Sequence, residues 1–85
     1  MIPASPATAR GFGYVSDILD LAESLSASAS RARNIDYAAY CRQAARDFHD
    51  AAVRRLARIE WAGERHEQFI ERATELDASL TAIGA

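Results

Sequence analysis

Apolar residues recur along this chain at intervals of three and four, the repeat that lines one face of an α-helix. Three such stripes are present. The first is Val15, Ile18, Ala22, Leu25 and Ala29, and it predicts a helix starting at Ser16 or Asp17, both good N-cap residues. The second is Tyr37, Cys41, Ala44, Phe48, Ala52, Leu56 and Ile59, which predicts a helix of about 25 residues beginning near Asn34. The third is Phe69, Ala73, Leu76, Leu80 and Ile83, on a helix that Gly84 ends. No run alternates apolar with polar residues as a half-buried strand would. Ala, Leu, Arg and Glu, all strong helix formers, dominate the chain. The expected fold class is all-α.

Outside the stripes, residues 1–14 hold both prolines, Pro3 and Pro6, and two glycines, and read as an extended N-terminal arm. Phe12 and Tyr14 are its expected anchors, on the protein's own core. Residues 15–85 form the helical domain. The serines before Asn34 compete for backbone hydrogen bonds and predict a break between about Ser28 and Asn34.

The stretch around Gly63 decides the architecture. Arg54, Arg55 and Arg58 precede this glycine, and Glu64 and Glu67 follow it. Helix C-termini favour cations and N-termini favour anions, so this order suits two helix ends meeting at a turn. Folding back there pairs Leu56 with Phe69, Ala52 with Ala73, Phe48 with Leu76, Ala44 and Ala45 with Leu80, and Cys41 with Ile83. Large residues then face small ones, as close packing requires. A three-helix unit follows, with helices 2 and 3 an antiparallel hairpin and helix 1 packed across it through Val15, Ile18, Leu21 and Leu25. The alternative is one straight helix of roughly 48 residues, about 72 Å long, which could bury its stripe only in an oligomer.

Composition narrows the function classes. The formal charge is −2, without the basic excess of a protein that lives on nucleic acid, so direct nucleic-acid binding is disfavoured. All ten Lys-plus-Arg positions are arginine, the side chain suited to bidentate recognition of carboxylate or phosphate. The single cysteine rules out an internal disulfide. No secretory signal pattern and no membrane-length apolar segment is present, so a soluble, cytoplasmic protein with no membrane contact is expected.

The candidate chemistry is that of surfaces. Glu60, Glu64, Glu67, Glu71 and Glu75 fall on the side of helix 3 opposite its apolar stripe. Like charges four residues apart repel, so this row is either a solvated back or a docking face for a basic partner. Arg42, Arg46 and His49 cluster around Val53 on helix 2, giving a solvated flank or an interface with Val53 at its centre. Arg55 falls within the apolar arc, where its stem packs and its head is expected to reach Asp17, Asp20 or Glu23. His49 and His66 come from distant turns, so no metal site and no cofactor are expected. Both histidines are expected at the surface or rim, and Cys41 as a buried, inert thiol. Trp61, at the turn, is expected to cap the bundle.

These features point to a non-enzymatic protein-binding module, an adaptor or small subunit or an inhibitor, acting through charged helix faces. Two alternatives stand beside it. One is a phage or mobile-element inhibitor of anti-CRISPR-like role, whose acidic face mimics nucleic acid before a basic nucleic-acid-binding surface. The other is a helical DNA-binding regulator using Arg42, Arg46, Arg54 and Arg58. A homo-oligomer is compatible with each.

Overall fold

A computed structural model describes the backbone of residues 6–59 and 63–85, with side chains from Gly11 onward. It contains three helices, α1 (Pro6–Arg31), α2 (Ile35–Arg58) and α3 (Glu64–Ala82). The described residues contain no strand. None of these helices is long and apolar enough to cross a membrane.

Helix α1 begins ten residues before the expected Ser16. Residues 6–14, assigned from the sequence to an extended arm, are helical. Pro6 occupies the first helical position, which proline tolerates, and the burial of Phe12 against α3 draws the segment onto the core as helix. Gly11 then acquires a packing role. A Cβ added there would stand 2.8 Å from Ile59 Cδ1, so its bare backbone lets α1 approach the end of α2 closely. Phe12 is 1 % exposed, stacks on Phe69 at 5.4 Å and meets His66 edge-on at 6.0 Å. It anchors on the protein's own core, as expected, but from within a helix.

The break at the serine-rich stretch falls at 32–34, between Arg31 and the start of α2. Asn34 caps α2, its Oδ1 accepting the Tyr37 backbone N–H at 2.9 Å. At the other end, the Ile59 N–H closes on the carbonyls of Arg55 and Leu56. Gly63, at φ 74° and ψ −147°, opens α3 in a conformation open only to glycine. The chain therefore reverses rather than running on as a rod. Helix α3 ends as the sequence requires, with Gly84 at φ 82°, its N–H on Thr81 O and the Ala85 N–H on Leu80 O. This pair of bonds satisfies two orphan carbonyls of the last turn.

Antiparallel register between α2 and α3 is fixed by His49 against the Ala73 carbonyl and Arg46 against Asp77. That is close to the pairing deduced from the stripes. The most extensive packing, however, is α1 on α2, with α3 laid against both. The core joins Phe12, Val15, Leu19 and Ala22 of α1 to Ala45, Ala52 and Leu56 of α2 and Ala73, Leu76 and Leu80 of α3. Burying two flanks of α1 widens its apolar arc from the expected stripe to include Leu19.

Helix α2 is turned relative to expectation. Its buried positions are Ala38, Cys41, Ala45, His49, Ala52 and Leu56. Tyr37 and Phe48, expected inside, are 54 % and 37 % exposed. Small residues occupy the centre of the α1 contact, which lets the backbones approach and leaves the bulky aromatics at the flank. Leu21, expected over the groove, is 51 % exposed for the same reason.

Candidate interaction surfaces

The acidic row on α3 stands where the spacing put it. Glu64, Glu67, Glu71 and Glu75 are exposed, while Glu60 lies outside the described residues, as does Trp61. Helix α3 carries five carboxylates and two arginines, whereas α2 carries five arginines and three carboxylates. The molecule is thus electrically sided, acidic along α3 and basic along α2. Arg72 is not a partner of the row. Its Nε donates to Glu23 at 2.7 Å and its Nη2 to Asp20 at 2.5 Å, which ties α3 to α1. These bonds, led by the one to Glu23, hold the guanidinium far above its ordinary pKa. Arg55, expected to take those acids, instead lies over the Tyr14 ring at 4.7 Å.

The Arg42, Arg46, His49 and Val53 group is divided by the structure. His49 is buried, contrary to the expected surface position. Its Nε2 faces the Ala73 carbonyl at 3.0 Å and its Nδ1 faces Asp50 at 2.9 Å. The Arg46 Nη1 also stands 3.4 Å from that Nδ1, so the ring is enclosed by polar groups of both helices. Arg46 spans to α3, donating to Asp77 Oδ1 at 2.6 Å and to the Ala85 backbone oxygen at 2.9 Å. The hydrogen bond from Arg46 holds the Asp77 carboxyl below the usual carboxylate range. These two side chains fasten helices to each other, so only Arg42 and Val53 of the four remain for a partner.

Val53 lies on the rim of a cleft of about 370 Å³ between α2 and α3, with Leu56, Ile70, Ala73 and both histidines also lining it. His66, expected at the surface or rim, is 7 % exposed, and its Nδ1 has no hydrogen-bond partner among the described residues. No group of three metal-ligating side chains occurs among the described residues.

One surface was not read from the sequence. Tyr37, Tyr40, Ala44, Phe48, Ala51, Arg55 and Arg58 follow one another at spacings of three and four. At 100° per residue they share a sector of about 80° on α2, beside the core stripe. Tyr40 is 66 % exposed. Across from them on α1 stand Tyr14 and Leu21, both about half exposed. The contacts of Gly11 with Ile59 and of Tyr14 with Arg55 set the antiparallel register and bring Leu21 level with Phe48. On α1 the side turned the other way carries Asp20 and Glu23, which hold α3. The tyrosine-bearing face is therefore the side of the α1–α2 pair that α3 leaves uncovered. All three tyrosines of the chain lie on it. At one end a recess of about 150 Å³ is formed by Tyr14, Ala51, Arg54, Arg55 and Arg58. Among the described residues, no carboxylate lies within ion-pair distance of these three arginines.

The signal for this face was present as a second three-four repeat on α2. Assigning Tyr37, Ala44 and Phe48 to the core stripe hid it. No family model matches the chain, and no curated protein and no solved structure gives a match to it. Fold and surface together define the class, a small all-α three-helix unit.

Proposed function

We propose that this chain is a non-enzymatic protein-binding module, an adaptor or small subunit, that docks through the uncovered face of the α1–α2 pair. The observation that carries the reading is the row of Tyr14, Leu21, Tyr37, Tyr40 and Phe48, each between 37 % and 66 % exposed, along one side of two packed helices. Monomeric proteins seldom leave large apolar side chains contiguous, and tyrosine with arginine is the composition of binding hot spots. Exposing this row to water in the free protein has a cost of burial forgone, which a partner recovers.

The test is co-precipitation from the native host with two paired variants. Tyr40→Asp with Phe48→Asp should abolish recovery of the wild-type partner. Glu67→Lys with Glu71→Lys should leave recovery intact. The opposite pattern refutes docking through the tyrosine face. It supports the second reading, an inhibitor that presents Glu64, Glu67, Glu71 and Glu75 as a phosphate-like track to a basic surface. The exposure of all four carboxylates favours that alternative. A DNA-binding regulator has less support, because Arg46 is spent on Asp77 and Ala85.

A further inference from the structure

We infer that the occupant of the tyrosine face is an acidic amphipathic helix of another protein, laid along the α1–α2 groove opposite α3 with its carboxylates on Arg54, Arg55 and Arg58. The inference rests on the reading of that face as a docking surface, and it specifies the partner's chemistry. Two antiparallel helices covered on one side only offer a groove of helical dimensions on the other, the geometry of helix-in-groove recognition. Between Tyr37 and Arg55 this groove runs about 27 Å, at 1.5 Å per residue, which suits a partner helix of five turns. Apolar side chains of that helix would meet Leu21 and Phe48 at the middle and Tyr40 towards the Tyr37 end. At the far end the surface changes to three arginines around one tyrosine ring. Guanidinium groups in such a recess favour carboxylates by bidentate hydrogen bonding.

Charge disfavours the other simple occupant, a second copy. A two-fold pair burying this face would align like ends or opposite ends. Like ends would set Arg54, Arg55 and Arg58 against themselves. Opposite ends would set them near Arg31 and Arg33, both exposed at the α1–α2 connection. Either arrangement brings a net excess of cations together, since exposed Asp36 offsets only one of the two arginines at the connection. A nucleic acid fits less well, because the basic groups stand at the two ends while the length between them is largely apolar and aromatic, and the adjoining α3 is acidic.

Fluorescence anisotropy with two labelled 20-residue peptides tests this. Both carry the same leucine stripe at three-four spacing. One bears four glutamates at one end, and the other bears lysines at those positions. The glutamate peptide is expected to bind at least about tenfold more tightly than the lysine peptide. Arg54→Glu with Arg58→Glu should reverse that preference, and Tyr40→Glu should weaken both peptides. Tyr40 and the two arginines are exposed, so circular dichroism should show unchanged helix content in each variant. Binding of neither peptide, or equal binding of both, overturns the inference. So does sedimentation as a dimer that Tyr40→Glu dissolves, or retardation of a DNA duplex that Arg54→Glu removes. If the peptides fail while Tyr40→Asp with Phe48→Asp still abolishes host co-precipitation, the face docks a protein of different chemistry and only the present inference falls.

Discussion

Replacing Phe12 by alanine is the most direct probe of how this molecule is held together. The side chain is 1 % exposed and touches Phe69, His66 and, through cation–π contact at 5.2 Å, Arg65. Truncating a buried phenylalanine removes its transfer free energy and leaves a cavity, about 3–5 kcal/mol together. A domain of this length has a total stability of about 4–13 kcal/mol, so the variant should sit near or beyond the edge of folding. In urea, followed by the helix signal at 222 nm, the midpoint should fall by about 2 M or more. Gly13→Ala is the companion measurement, with the opposite sign. A Cβ at Gly13 meets nothing within 4 Å, and alanine inside a helix is favoured over glycine by about 1 kcal/mol. The melting temperature should rise by about 4–8 °C. A loose arm over 6–14 would give neither result. A loss under about 1 kcal/mol for Phe12→Ala, or no gain for Gly13→Ala, would refute the helical docking of this segment.

Other outcomes follow from the ties and turns. Asp77 has a depressed pKa, so its pairing with Arg46 stabilises the fold above the ordinary value of 3.8 and is lost as pH falls through the lower folded value. The difference in melting temperature between the wild type and Asp77→Asn should be present at pH 6 and close in acid. A gap that is constant with pH contradicts the pairing. Arg72→Met should cost about 1 kcal/mol, because both carboxylates are half exposed, and the loss should shrink in 1 M salt. Gly63→Ala forces a side chain into positive φ with an extended ψ and should cost about 1–3 kcal/mol, read as a lowered urea midpoint. An unchanged midpoint would mean that the turn does not hold that conformation.

Much of the fold was legible because its determinants are local. The stripes placed three helices, the serine run placed the first break, and Gly63 with its flanking charges placed the second. Gly84 placed the end. What escaped depends on information that spacing does not carry. Pro6 reads equally as part of an arm and as a helix start, and only the burial of Phe12 against α3 decides between them. Tyr37, Ala44 and Phe48 lie within about 60° of the true core stripe, so periodicity alone admits either face. The alanines settle it, since close approach of α1 selects Ala38, Ala45 and Ala52 for the contact. His49 and Arg46 looked like surface residues by type. Their burial follows from acceptors on another helix, Ala73 and Asp77, which no local pattern reveals. Arg55 was expected on Asp17, Asp20 or Glu23, of which Arg72 holds the last two, because the placement of α3 over α1 was not deducible from either helix separately.

The arginine fastenings of α3 set an order of release. Phe12, Val15, Leu19 and Ala22 meet Ala45, Ala52 and Leu56 in an oily seam that ions barely affect. Helix α3 adds Ala73, Leu76 and Leu80 to that seam, but it also leans on two screened electrostatic clasps, Arg46 and Arg72. Strong brine should therefore loosen the third helix ahead of the other pair. Amide deuterium uptake should report this as faster labelling of residues 64–82 than of 41–56. The protein would breathe on the side away from its tyrosines, leaving the docking platform intact while its opposite cover lifts.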